Sequence, residues 1–177
     1  MVRDLALTAK YGMVEEFYER LKVEPVDTVS ATGLPAIVAA ASSSKSSAGR
    51  AMISALLDAG ADASATTVPE GRNVLHALFD RPPVDGTPVA ALVPRLVAAG
   101  ADINLRDSSG WRPVARLVRS SASDVELEPV LDAVLALDGL VLDEPATSSD
   151  QTLLDYARAK VHRAGFARRL EEYAAAR

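Results

Sequence analysis

The side chains able to do chemistry are few in this sequence, and they are scattered. There are two histidines, His76 and His162, and no cysteine. Without thiols, disulfides and zinc–thiolate sites are excluded. An acid–base role for either histidine needs a tuned pKa and a partner in reach. A Ser-His-Asp site needs a serine on an exposed turn beside one of them, and no serine sits in a Gly-x-Ser-x-Gly elbow. Ser42-Ser43-Ser44-Lys45 has the spacing of a Ser-x-x-Lys pair, but it lies in a serine-rich stretch that reads as a linker. Neither Gly-x-Gly-x-x-Gly nor Gly-Lys-Ser/Thr occurs, so no phosphate loop is expected. Asp143 and Glu144 adjoin, and Asp62, Asp102 and Asp107 recur along the chain, yet the closely spaced oxygen ligands of a calcium site are missing. Asp62 and Asp102 read instead as turn formers that bond nearby backbone N–H groups. The expectation is no catalytic residue, no metal and no cofactor.

The elements that carry these residues repeat. A helical end followed by Gly occurs as ALLDAGADASA (55–65), RLVAAGADINL (95–105) and, worn down, AVLALDGLVLD (133–143); Gly60, Gly100 and Gly139 are spaced 40 and 39 apart. A second marker opens a helix: GLPAIVAA (33–40), RNVLHALF (72–79), WRPVARLV (111–118) and QTLLDYAR (151–158). Its positions Pro35, Val74, Pro113 and Leu153 are 39, 39 and 40 apart. Two independent markers hold one period, the sign of a repeat architecture. The three glycines read as C-caps, since Gly takes the left-handed conformation without a Cβ clash. Pro35 and Pro113 read as first-turn prolines, where the missing N–H costs nothing. Val114, Leu117 and Val118 form one buried stripe. Pro94 should kink the second helix of its unit.

The unit resembles an ankyrin repeat: a finger, a T-P-L-H-x-A helix, a second helix, then G-A-D. Leu75-His76 keep that motif, with Asn73-Val74 in place of Thr-Pro. Gly110 and Pro113 are kept in the next unit, and Thr152 and Leu154 in the last. The resemblance covers roughly residues 5 to 165. It implies an all-α, ankyrin-repeat helical solenoid of about five helix pairs joined by finger loops, in one domain over 1–177. The units run about 4–31, 32–65, 66–105, 106–142 and 143–177, with few or no true strands. It also implies that His76 ties adjacent repeats through backbone hydrogen bonds. The usual period is about 33. The extra residues here fall between the helices of a unit, at 42–49, 80–87 and 120–128, and should form longer loops. The terminal units should be atypical, with Arg158, Lys160, Arg163, Arg168 and Arg169 as a solvated cap.

Composition bounds the partners. Hydrophobic residues make up 49% and aromatics 5%, so small aliphatic side chains must pack closely spaced helices. The net charge of −5 disfavours nucleic acid and anionic membranes, although the basic last helix could bind phosphate or acidic protein. No apolar run is long enough to span a membrane, and the first residues do not read as a secretory signal. A cytoplasmic monomer is expected, and the bias toward Ala, Arg, Val and Asp is that of a high-GC bacterium.

The remaining reading is a non-catalytic module for protein–protein interaction. Trp111, the single Trp, is not required by the helix stripe, and Trp and Arg are enriched at interface hot spots. The resemblance implies contacts from finger bases and first helices on the concave side. Glu70, Arg72, Arg106, Ser108, Ser109, Trp111, Arg112, Arg116, Arg119, Ser148 and Gln151 are the expected contributors. The alternative for Trp111 is packing on the neighbouring finger. Two other functions stay open: an immunity- or inhibitor-type protein covering the basic active site of an enzyme or toxin, which the acidic balance suggests, and, remotely, an enzyme.

Overall fold

The computed structural model describes residues 3–80 and 86–177. Among these residues the regular structure is helical, with isolated β-bridges only at Val29–Pro35 and Pro145–Thr152. Five helix pairs follow one another. They are α1 (Leu5–Lys10) with α2 (Val14–Leu21), α3 (Ala36–Ala41) with α4 (Ser46–Asp58), and α5 (Val74–Asp80) with α6 (Thr87–Ala90) and α7 (Val93–Ala98). The last two are α8 (Pro113–Arg119) with α9 (Asp124–Leu135), and α10 (Leu153–Arg158) with α11 (Ala164–Ala175). No described helix is long and apolar enough to cross a membrane.

The first helices pack in series, α1 on α3, α3 on α5, α5 on α8 and α8 on α10, and form an inner row. The second helices form an outer row: α2 packs on α4, α6 and α7 on α9, and α9 on α11. Arg95 of α7 links to α4 through Asp58 at 2.6 Å and Ser54 at 3.3 Å. A central inner helix therefore has neighbours on two sides and its own partner on a third. Residues 74–79 of α5 and 113–118 of α8 are buried around the whole circumference. The single stripe expected for α8 is thus too narrow.

The period survives in the backbone. α5, α8 and α10 begin at Val74, Pro113 and Leu153. Pro35 does not sit in the first turn; with ψ of 146° it is the residue before α3, and its carbonyl accepts the Ala39 N–H. Gly60 and Gly100 follow α4 and α7 with φ of +86° and +104°. The Ala61 and Ala101 amides reach back to the carbonyls of Leu56 and Leu96, which completes the two C-terminal motifs. Gly139 differs. Helix α9 ends through Ala136 in a right-handed conformation, and Gly139 serves a later turn whose carbonyl accepts from Asn104.

About half of each long loop expected at 42–49 and 120–128 is helix. Residues from Ser46 and from Asp124 onward lengthen the outer helices α4 and α9 to 13 and 12 residues. Ser123 and Glu126 form a reciprocal capping box that sets the start of α9, and the Ser123 N–H and hydroxyl hold the Glu126 carboxyl below its usual range. Gly49 lets α4 approach the end of α3, because a Cβ there would lie 2.4 Å from the Ala40 carbonyl oxygen. The stretch expected as a loop at 80–87 falls largely outside the described residues. Pro94 does more than kink its helix: the outer element of that unit is divided into α6 and α7, with Pro94 in the first turn of α7.

Each turn into an inner helix closes on itself. The backbone N–H groups of Ser30, Thr67, Asp107 and Ala146 donate to the carbonyls of Leu34, Arg72, Trp111 and Gln151. A left-handed residue lies inside each closure: Gly33, Gly71, Gly110, and in the last unit Asp150, with φ of +57°. Neighbouring turns are tied laterally, as by the Ser108 N–H to the Glu70 carbonyl and the Arg112 N–H to the Ala146 carbonyl. Asp62 and Asp102 accept the amides of Ser64 and Asn104 two residues on, as turn formers do.

Candidate functional site

His76 lies in α5 and is fully buried. Its Nε2–H donates to the Trp111 carbonyl at 2.9 Å, in the next unit, and Nδ1 accepts the Asn73 N–H at 3.3 Å. Asn73 in turn donates from its amide to the Asp102 carbonyl. The Asn73 side-chain oxygen lies 2.8 Å from Nδ1 and would gain a donor there only from a protonated ring. Burial opposes that charge and outweighs the bond to Trp111, so the His76 pKa falls below its ordinary 6.5. Nε2 thus joins this unit to the next, while Nδ1 holds the start of its own helix. His162 is exposed on the short turn Val161–Arg163. Among the described residues no three His, Asp or Glu groups are placed to hold a metal ion.

Charged and aromatic side chains gather between α5 and α8. Arg72 precedes α5, Asp80 ends it, Asp107 and Trp111 lie in the turn before α8, and Arg116 and Arg119 lie on α8. Asp107 Oδ1 accepts the amides of Ser109 and Trp111 at 3.0 and 2.9 Å. Its Oδ2 pairs with Arg116, whose Nη1 also reaches Asp80 Oδ1 at 3.0 Å. Arg72 pairs with the other oxygen of Asp80 and has its Nε 4.0 Å from Asp107. Arg119 Nη2 stands 3.7 Å from Asp80 Oδ1. Three guanidinium groups thus share two carboxylates. The Nε atoms of Arg72 and Arg116 are buried without a hydrogen-bond partner.

Trp111 forms the wall of this cluster. Its ring meets Tyr156 of α10 edge-on at 5.5 Å. The guanidinium carbons of Arg119 and Arg116 lie 5.1 and 5.7 Å from the indole centroid, within cation–π range. Tyr156 carries the Lys160 ammonium at 5.0 Å. The indole is half-buried and packs on the next unit, while the Arg119 side chain is 51% exposed above it.

The residues singled out from the sequence separate into groups. Arg72, Trp111, Arg116 and Arg119 meet at this cluster, and Glu70, Ser108 and Ser109 are exposed on the adjoining turns. Ser148 is exposed and Gln151 half-buried one unit further on. Arg106 spans two turns, to Asp150 at 2.8 Å and to the Thr147 and Gly110 carbonyls. Arg112 and Arg116 were expected at the surface but are 7% and 8% exposed. Arg112 turns away from the cluster to Glu144 at 2.5 Å and the Val141 carbonyl, and Arg116 is held inside the cluster. Both are buried, Arg112 just before α8 and Arg116 on it, because α8 is covered on every face. Asp80 and Tyr156 were not anticipated. Asp80 closes α5 four residues after His76, and an acidic residue at a helix C-terminus is unfavourable for the dipole; that misfit was the available signal.

The basic last stretch is also different from expectation. Arg163 is fully buried. Its Nε donates to the Val118 carbonyl at 2.9 Å, Nη1 to the Ala122 carbonyl at 2.6 Å, and Nη2 to the Ser120 carbonyl at 2.6 Å. It also pairs with Asp124 at 3.1 Å, and the second oxygen of Asp124 accepts the Phe166 N–H at the start of α11. Helix α8 ends in extended backbone at Ser120 rather than at a glycine, so an arginine from the following unit satisfies its terminal carbonyls. Arg158 and Arg169 are paired with Glu171 and Asp132, while Arg168 is exposed.

No family model and no curated protein matches the sequence. Among solved structures, the chain is similar to the crystal structure of a functionally unknown protein from Leptotrichia buccalis, with a TM-score of 0.77 and 18% identity over 96% of this chain and 92% of that one. At that identity the likeness is one of fold.

Proposed function

We propose that the chain is a non-catalytic protein-binding module, a divergent ankyrin-type solenoid that meets its partner on the inner row and the turns beside it. The observation that carries this reading is the pairing of an exposed Arg119 with the half-buried Trp111, 5.1 Å apart, over an ion-pair network that fixes both. Arginine and tryptophan are the residue types that dominate interface energetics, and side chains already held in place lose little freedom on binding. Glu70, Ser108 and Ser109 extend the same surface. The histidine with most structure around it, His76, has both ring nitrogens engaged, Nε2 with the Trp111 carbonyl of the next unit and Nδ1 with the Asn73 N–H of its own, which favours binding over catalysis. An inhibitor or immunity role would use the same face.

The test is to capture the partner from native lysate and map its footprint by hydrogen exchange. Protection should fall on α5, α8 and their turns, and Arg119→Ala should weaken binding without changing the unfolding midpoint. A footprint on α4, α9 and α11, with full binding by Arg119→Ala, would sink the proposal.

A further inference from the structure

A cleft opens on the inner row between α1, α3 and the turn into α5. One part, of about 270 Å³, is lined by Lys10, Ser42, Thr67, Glu70 and Arg72 over an apolar floor that includes Val38 and Ala77. A second part, of about 140 Å³, runs past Ser42, Arg72 and Ala77 to Asp80. The cleft therefore leads into the cluster where three arginines share Asp80 and Asp107. Lys10 is exposed and joins none of the described ion pairs. Four cations (Lys10, Arg72, Arg116, Arg119) thus stand against three carboxylates (Glu70, Asp80, Asp107). Among the described residues this face carries one positive charge in excess, on a chain whose net charge is −5.

The polar groups are also short of acceptors. The Nε of Arg72, which lines both parts of the cleft, has none. Thr67 Oγ1 accepts the Arg72 N–H, which leaves its hydroxyl proton to donate into the cleft. By contrast, the cavity of about 180 Å³ between α9 and α11 has Arg169 on its wall already paired with Glu128, Asp132 and Glu172.

We propose that this cleft receives an Asp or Glu side chain from an acidic segment of the partner, its carboxylate held between Lys10 and Arg72 with the Ser42 and Thr67 hydroxyls as further donors. The proposal rests on the inner-row reading above and supplies the chemistry of the partner. An excess of one positive charge matches a carboxylate, whereas a phosphate dianion is repelled about twice as strongly by Glu70, which also lines the cleft. The apolar floor accommodates the methylene stem of the side chain.

Trp111, the single Trp, reports on the site through Arg116 and Arg119, which share Asp80 with Arg72. The full chain is titrated with a capped hexaglutamate peptide, a capped hexaglutamine peptide and inorganic phosphate while indole emission is followed. Hexaglutamate should bind at least about tenfold more tightly than hexaglutamine, a difference of about 1.4 kcal/mol, and added salt should weaken it. Lys10→Glu should lose about tenfold in affinity. Because Lys10 ends α1, the reversal also lowers the unfolding midpoint slightly through the helix dipole. Lys10→Gln, which should lose affinity in the same direction at a nearly unchanged midpoint, keeps the two effects apart. Equal binding of the two peptides, full binding by Lys10→Glu, or phosphate binding as tightly as hexaglutamate would each overturn the proposal. If the partner's footprint covers Trp111 and Arg119 while the peptides bind alike, the acidic anchor is wrong and the inner-row reading stands. If hexaglutamate binds as expected and the footprint lies on the outer row, the inner-row reading fails and the anion site stands.

Discussion

The imidazole Nε2 of His76 lies 2.9 Å from the carbonyl oxygen of Trp111, and that same oxygen accepts the Asp107 N–H at 2.9 Å. One carbonyl thus joins a buried helix of one unit to the turn of the next, and it fixes the residue on whose ring Arg119 rests. The stability of the scaffold and the geometry of the proposed binding face meet at this atom.

The burial of His76 makes stability depend on pH. Burial lowers the folded-state pKa of His76 below its ordinary 6.5, so between the two values the unfolded chain binds more protons. The contribution is complete above about pH 6.5 and is lost as pH falls through that value. Urea unfolding from pH 8 to pH 5 should show stability declining over this window. In His76→Gln this part of the slope should vanish, with a loss of about 1–3 kcal/mol at pH 8 from the buried groups left without partners.

Arg163 should be among the most sensitive positions. Arg163→Ala removes the donors to the Val118, Ser120 and Ala122 carbonyls and leaves Asp124 half-buried without its cation. A loss of about 3–5 kcal/mol is expected in denaturant unfolding. Arg163→Lys should recover little, because a compact ammonium cannot reach carbonyls spread along a planar fork.

Two glycines separate close approach from backbone conformation. Gly49→Ala places a Cβ 2.4 Å from the Ala40 carbonyl oxygen and 3.0 Å from Ser43 Cβ, so α4 must move away from α3 at a cost of about 1–3 kcal/mol. That exceeds the helix-propensity gain of about 1 kcal/mol. Gly60→Ala meets nothing within 4 Å and carries only the strain of φ at +86°, about 1–2 kcal/mol. Thermal melts should show α4 displaced from α3 in the first variant only, through altered near-UV circular dichroism.

Ser123→Ala should destabilise the chain by about 1 kcal/mol by opening the capping box with Glu126. Amide exchange should rise in the first turn of α9 and stay unchanged in α4.

The period, the starts of three inner helices and two of the glycine caps were legible because each is a local requirement of backbone conformation, repeated in the sequence. The surface was less so. Reading Arg112 and Arg116 as exposed assumed that an amphipathic stripe has a polar opposite face, which fails for α8 because α5 and α10 flank it on two sides. Arg163 read as one charge in a basic run, yet it lies in register with Phe166, Ala167 and Leu170 at the helical spacing of buried positions. Its burial became intelligible only once the unfinished end of α8 was found beneath it. Serines at 46, 47 and 123 suggested longer loops between helices; two begin an outer helix and the third caps one. The Arg–Asp cluster depends on Asp80 and Asp107, which are 27 residues apart in the sequence and meet only when α5 and α8 stack.

Because Arg163 of the fifth unit completes the end of α8 in the fourth, the C-terminal pair cannot fray by itself. Releasing α10 and α11 withdraws the guanidinium from the α8 carbonyls and takes Tyr156 off the Trp111 ring. The last two units therefore form one cooperative foldon whose amides exchange through a shared opening event. A truncation after residue 150 should therefore weaken binding at the proposed face without removing any residue of the Arg–Asp cluster.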